Sequence, residues 1–342
     1  IVVWLDYRAG NNDIFAQRIS AAGVPLWAAD GVAICSDLSY QDNPVIVSDG
    51  AGGAVIAWED SRSGYCDIYA QRINAWGTAL WTADGQVISG ASGDQRLPEI
   101  VSDGAGGAII AWLDLRSVSE TDVYAQRVNA VGSCRWTWDG VAVCAATGSQ
   151  YDLDILSDGA GGAFIAWDDY RGGSSFDIYI QKLDVNGSFL WASNGVPVCV
   201  RSGEQMFPSI AADGTGGAIM AWADSRAGYY DIYAQRTDAS GVVQWAANGV
   251  VVCNASADQM YPVVISDGAG GAISAWMDLR SGTSYDVYSQ RINSVGAMRW
   301  TLNGVAVCSE GMHQSEVRIA PDGSGGALIA WDDYRSGSNI DI

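Results

Sequence analysis

The chain has 342 residues, a formal charge of −21, 42 Gly, 15 Trp, 15 Tyr and a single His. A hydrophobic content of 49% excludes a disordered chain, and the acidity argues against any role that depends on gripping phosphates, nucleic-acid binding included. No apolar run approaches the ~20 residues that a membrane-spanning helix needs.

Read from the first residue, a Trp-x-Asp-x-Arg element appears at once as Trp4-Leu-Asp6-Tyr-Arg8. It returns at Trp58/Asp60/Arg62, Trp112/Asp114/Arg116, Trp167/Asp169/Arg171, Trp222/Asp224/Arg226, Trp276/Asp278/Arg280 and Trp331/Asp333/Arg335, every 54 or 55 residues. The rest of the unit recurs with it, and the copy from Pro98 to Gln150 shows its elements in order. Pro98–Ser102 predicts a short strand opening at a proline. Asp103-Gly-Ala-Gly-Gly107 predicts a tight reversal, with glycines supplying positive φ. Ala108–Asp114 is continuously apolar, as in a strand covered on both faces. Asp122–Asn129 predicts a third strand, Gly132 a turn, and Cys134–Cys144 a last strand that carries Trp136 and bends at Asp139-Gly140. No stretch shows useful helical periodicity. Four antiparallel strands per repeat predict an all-β fold, the blades of a β-propeller, with a stacked solenoid as the alternative.

The unit Ser-Asp-Gly-x-Gly-Gly-Ala-x-x-Ala-Trp-x-Asp-x-Arg, followed by Asp-Ile-Tyr-Ala-Gln-Arg, resembles the tandem repeats of secreted bacterial β-propeller proteins of unassigned function. The resemblance spans the whole chain. More distantly, Trp-x-Asp is similar to YWTD and WD-repeat blades, and the Asp-Gly turn to Asp-box hairpins, although Ser48-Asp49-Gly50-Ala51-Gly52 departs from the Asp-box pattern. The resemblance implies an extracellular or cell-surface location and a scaffold or binding role, with no catalytic residues to transfer.

Ile1 aligns with Val55 and Ile342 with Ile68. Residues 1–342 are therefore expected to form one propeller domain, incomplete at both ends, with blade units anchored at the seven Trp-x-Asp tryptophans. Further repeats or domains of a longer parent chain are expected partners. About 40 residues would bring the count to seven units at this spacing. Seven blades is the expected number, with six or eight the alternatives. A six-bladed ring leaves the Trp331 strand competing with the Trp4 strand.

Alternation along an extended strand puts Trp58, Asp60 and Arg62 on one side, with Asp67 five residues on. A ring of charges around a ligand is one reading. A structural Asp–Arg pair pinning the loop between the second and third strands is the favoured one, because seven identical copies lack the asymmetry that acid–base chemistry requires. The Asp-Gly turns offer one carboxylate per turn, poor for calcium, and are read as self-capped hairpins; structural calcium is the alternative, and no other cofactor or metal is expected. Five of the seven cysteines (Cys35, Cys144, Cys199, Cys253, Cys308) share one repeat position and read as buried packing thiols. Cys66 and Cys134 break the repeat and are the disulfide candidates. His313 has no nucleophile motif beside it, and the sequons at Asn186 and Asn254 are too common to carry weight.

The variable positions carry the ligand expectation. Each unit has a Gln (Gln41, Gln95, Gln150, Gln205, Gln259, Gln314) in what reads as the loop leading into the blade. Arg96, Tyr151, Met206, Phe207, Met260 and Tyr261 follow it, on the same face as the Trp-x-Asp-x-Arg loop. They are the candidate ligand-binding residues, with Trp58, Asp60, Arg62, Asp67 and Gln95 as structural repeat residues. The sequence favours a non-enzymatic binding or structural module for a protein or glycan ligand. The alternative is a sialidase-like or lyase-like propeller enzyme acting on polysaccharide, which requires unrepeated acids and bases clustered in one place. A lectin with one site per blade requires Trp27 and its equivalents to be exposed.

Overall fold

A computed structural model describes residues 1–117, 119–336 and 341; Ile342, aligned above with Ile68, lies outside them. Among the described residues there is no helix. The strands form seven antiparallel sheets in chain order, the first with three strands, the next five with four and the last with two. The fold is a tandem-repeat, propeller-like all-β fold. The chain divides into two compact units, Ile1–Ile165 with Lys182–Asn194, and Ala166–Gln181 with Gly195–Ile342.

Sheet 2 shows the plan. Its strands, in order of pairing, are Gln41–Ser48, Ala54–Asp60, Asp67–Ile73 and Gln86–Ser89. The second strand is buried at all seven positions, which explains its continuous apolar sequence. One face, with Ala54, Ile56 and Trp58, packs on Ile14, Ala16, Ile34 and Cys35 of sheet 1. The other, with Val55 and Ala57, packs on Ile100, Ile110 and Trp112 of sheet 3. Within the second unit, sheets 5 and 6 pack the same way around Ile219, Ile232, Trp276 and Ile292.

Two expectations are corrected. The Trp-bearing segment is not a strand: the fourth strand of sheet 3 is only Val141–Cys144, preceded by a single bridge, Val128 to Cys134. Trp136 lies between the two, where its indole N–H donates to Val185 O at 3.1 Å, 49 residues on. Trp27, Trp81 and Trp245 do the same to Ala75, Ala130 and Ser294. An Arg of each copy grips the same carbonyl, as Arg72 Nη1 does Ala130 O at 2.9 Å. The indole also lies against the glycine of that turn; a Cβ on Gly132 would stand 2.9 Å from Trp81. Successive repeats are thus locked together by a carbonyl held by two donors and a glycine seated on a ring.

The second correction concerns the Gln. It opens the first strand rather than lying in a loop, because it pairs with the second strand: Gln95 faces Asp114 and Arg96 faces Leu113. Register then slips, and pairing resumes at Glu99 with Ala111. Leu97 and Pro98 form a bulge, and the same slip recurs in sheets 2, 5, 6 and 7.

Candidate functional site

The bulged ends of the first strands lie beside a repeated buttress. In sheet 2, Asp60 accepts Trp58 Nε1 at 3.0 Å and Arg62 Nε at 2.8 Å, and pairs with Arg62 Nη2 at 2.6 Å. Arg62 lies over the Tyr69 ring, 4.1 Å from its centre, and also donates to Asp84 O at 2.8 Å. Sheet 3 repeats this with Asp114, Trp112, Arg116, Tyr124 and Asp139. One Asp therefore satisfies an indole, a guanidinium and a loop amide at the end of the sheet. Opposite it in register stands the Asp of the third strand, Asp67 facing Asp60 and Asp122 facing Asp114. Burial first, and then the neighbouring Asp114 carboxylate, push Asp122 up to about 6. Asp177 and Asp231 rise to about 6 on the same grounds.

The bulge holds its outer residue in the left-handed region. Asn43, Leu97, Asp152, Phe207, Tyr261 and Glu316 have φ of 48°, 51°, 39°, 59°, 52° and 50°. Asn tolerates this conformation; Leu, Phe and Tyr do so at a cost. Of the expected binding residues, Phe207 and Tyr261 thus share this strained backbone position while Arg96, Tyr151, Met206 and Met260 precede it, and such outliers mark candidate functional positions.

In the first unit the bulges carry Asn43, Leu97 and Asp152, and carboxylates gather around them. Glu59 is 4% exposed; one of its oxygens accepts Asn43 Nδ2 at 2.7 Å and Leu97 N at 2.7 Å, so it ties the bulge of its own sheet to that of the next. Glu99 is half-buried and faces Ala111, whose neighbours Ile110 and Trp112 pack toward sheet 2, so alternation turns Glu99 to the opposite face. Asp152 and Asp154, both half-buried, lie on the first strand Gln150–Ser157, which packs against sheet 3. Glu99 and Asp154 break the repeat, while Glu59 has acidic counterparts in two other copies and Asp152 in one. Where Glu59 stands other copies have Leu5, Leu113, Asp168, Ala223, Met277 and Asp332, and where Glu99 and Asp154 stand they have Val45, Ser209, Val263 and Arg318. Glu99 and Asp154 were not legible from the loops, because they sit inside strands. Comparing the copies position by position would have found them. Of the expected binding residues here, Arg96 is exposed and paired with Asp94 at 2.8 Å, and Tyr151 is exposed.

In the second unit the bulges are aromatic. The Phe207 and Tyr261 rings are 4.4 Å apart, tilted by 38°. Met206 and Met260 precede them and accept the hydroxyls of Tyr230 and Tyr285 at 3.7 and 3.8 Å. Phe207 and Tyr261 are thus brought together, while Met206 and Met260 each lie against a tyrosine of their own repeat.

Other candidates resolve into structure. Asp49 Oδ1 accepts the amides of Ala51 and Gly53, both at 2.8 Å, while Oδ2 pairs with Arg72 at 2.9 Å. Those oxygens are committed to the hairpin, and the donor set does not fit calcium. Among the described residues no group of three His, Cys, Asp or Glu is arranged to hold a metal. All seven cysteines are free thiols, Cys66 and Cys134 included. Burial pushes Cys35, Cys199 and Cys253 up to about 12, leaving them inert. His313 Nδ1 accepts Tyr285 N at 3.2 Å. Trp27, Trp81 and Trp245 lie half-buried under the next repeat and are not exposed platforms.

No protein-family model matches the sequence, and no curated protein matches it. Solved structures share the fold. The α-L-arabinanase of Penicillium chrysogenum, complexed with arabinobiose, is 11% identical, with a TM-score of 0.51 over 83% of this chain and 86% of that one. A protein of unknown function from Dyadobacter fermentans is 10% identical, with a TM-score of 0.47 over 79% and 85%. The GH93 α-L-arabinofuranosidase of Fusarium graminearum, also with arabinobiose, is 12% identical, with a TM-score of 0.45 over 84% and 90%. The likeness is one of fold. It corrects the expectation of a non-enzymatic scaffold, because the fold shared with the arabinanase is that of an enzyme. The ground for that expectation, the lack of unrepeated acids, also fails at Glu99 and Asp154. Among the described residues no helix is long and apolar enough to cross a membrane.

Proposed function

We propose that this chain is a polysaccharide-acting enzyme, a glycosidase in reaction class, whose acid and base are Glu99 and Asp154. The observation that carries the reading is the pair of carboxylates Glu99 and Asp154 near the first-strand ends of the first unit, at a repeat position where the other copies hold Val45, Ser209, Val263 and Arg318. Glycoside hydrolysis needs two carboxyl groups flanking one bond, one to protonate the leaving oxygen and one to activate water or attack carbon. Glu99 and Asp154 hold the same repeat position on successive first strands. Glu59 fixes the bulges beside them, and Asp152 lies on the bulge itself, where a sugar hydroxyl would be met. The repeated Asp–Arg pairs take no part, since their oxygens are consumed by the buttress.

In this reading the seven sheets are the blades of one propeller spanning residues 1–342, and the protein works outside the cell, where such polymers lie. Arabinan is the first substrate to try, because the arabinanase with the matching fold binds arabinobiose. The test is release of reducing sugar from arabinan and other neutral polysaccharides. Glu99→Gln and Asp154→Asn are each expected to lower turnover by roughly 10²–10⁴-fold with the fold intact. Turnover unchanged in both variants, or absent across the panel, overturns the proposal.

A further inference from the structure

The aromatic pair of the second unit plays no part in acid–base chemistry, yet the fold maintains it at a cost. Phe207 and Tyr261 occupy equivalent bulges of successive first strands, Gln205–Ala212 and Gln259–Ser266, with φ of 59° and 52°. The ladder fixes each bulge from both sides: Met206 faces Ala223 and Ser209 faces Ala221, while Met260 faces Met277 and Val263 faces Ala275. A buried proline, Pro208 or Pro262, follows each ring. The rings are therefore held rather than free to collapse, and Tyr261 remains 47% exposed. At the equivalent bulge of the next first strand stands exposed Glu316, paired with exposed Arg318 at 3.2 Å.

A rigid aromatic face with a carboxylate and a guanidinium on the next strand suits one kind of ligand. A sugar ring lays its C–H face on an aromatic ring, and its vicinal hydroxyls donate to a carboxylate and accept from a guanidinium. The formal charge of −21 disfavours a polyanionic chain. We propose that Phe207 and Tyr261 form a stacking subsite for one residue of a neutral polysaccharide, with Glu316 and Arg318 binding its hydroxyls. This rests on the polysaccharide reading above and names the class of polymer.

The test is retardation of the purified chain in native gels containing arabinan, arabinoxylan or xyloglucan, with polygalacturonate as the charged comparison. Tyr261→Asn and Phe207→Asn remove the rings while supplying a residue that accepts the left-handed backbone, so the fold is retained and melting confirms it. Each is expected to weaken retardation roughly tenfold, the equivalent of one good ring contact; Tyr261→Phe is expected to preserve it. Undiminished binding by the Asn variants, no retardation by any neutral polymer, or stronger retardation by polygalacturonate overturns the subsite. Retardation that depends on the rings, without release of sugar, upholds the subsite and sinks the assignment of Glu99 and Asp154 instead.

Discussion

The Glu59 carboxylate accepts the Leu97 amide N–H at 2.7 Å, reaching from one sheet to the bulge of the next. Leucine is sterically acceptable at this position, since Leu113 occupies it in the following copy and is buried. Glu59→Leu therefore isolates the loss of the acceptor. It orphans the Leu97 N–H and Asn43 Nδ2 and is expected to cost about 1–3 kcal/mol by urea unfolding. Glu59→Gln keeps an acceptor oxygen and is expected to cost less. Hydrogen exchange reports the contact directly: the Leu97 amide should exchange faster in Glu59→Leu than in the parent, and equal rates would show that the contact is not maintained in solution.

Gly132 sits on the Trp81 ring with φ of 83°, and a Cβ there would meet Trp81 Cγ at 2.9 Å. Gly104, with φ of 73°, has nothing within 4 Å of a Cβ. The two glycines share the backbone constraint and differ in the clash. Gly104→Ala is expected to lose roughly 1–2 kcal/mol from the left-handed conformation alone. Gly132→Ala adds overpacking worth a further 1–3 kcal/mol or so. Matching urea midpoints for the two variants would show that the ring does not bear on the turn.

Stability is expected to peak on the acid side of neutrality. Asp122, Asp177 and Asp231 rise to about 6 on folding, above the unfolded value of 3.8. Their contribution is complete below the unfolded value and is lost as pH rises through the folded one. Asp49, Asp213 and Asp267 run the other way. Burial alone would raise them, but turn amides and an Arg hold them below 3.8, and their contribution disappears as pH falls through that range. The two sets together place maximal thermal stability at about pH 4. Calorimetry across the acid and neutral range checks this. Asp122→Asn should flatten the decline between about pH 4 and 6, and an unchanged profile would clear Asp122 of any part in it.

Much of the fold was legible because its physical causes lie in local sequence. Ala108–Asp114 is apolar throughout because both of its faces are covered, and Asp103 followed by glycines is a turn because that carboxylate caps its own amides. The bulge was hidden by proline. Pro98 looks like the opening of a strand, when it is the second bulge residue of a strand that begins at Gln95. Trp136 looks like a strand residue because it is large and aromatic, yet its partner is a carbonyl 49 residues away, which local pattern cannot reveal. The same holds for Glu59, whose meaning comes from an amide on a neighbouring sheet.

The bulge also separates two demands that sheets usually impose together. Ladder pairing is met by Gln95 and Arg96 before it and by Glu99 after it, and burial by Gln95 and Pro98, so Leu97 answers to neither. Leu, Asp, Phe, Tyr, Asn and Glu all occupy this position in one chain without disturbing the ladders around them. The repeat thus offers a row of interchangeable sockets on a fixed frame. Duplication multiplies the sockets, and single substitutions fill each one differently. A new surface chemistry can therefore arise one copy at a time, and the same six positions are where a combinatorial library would change what the protein touches at least expense to its stability.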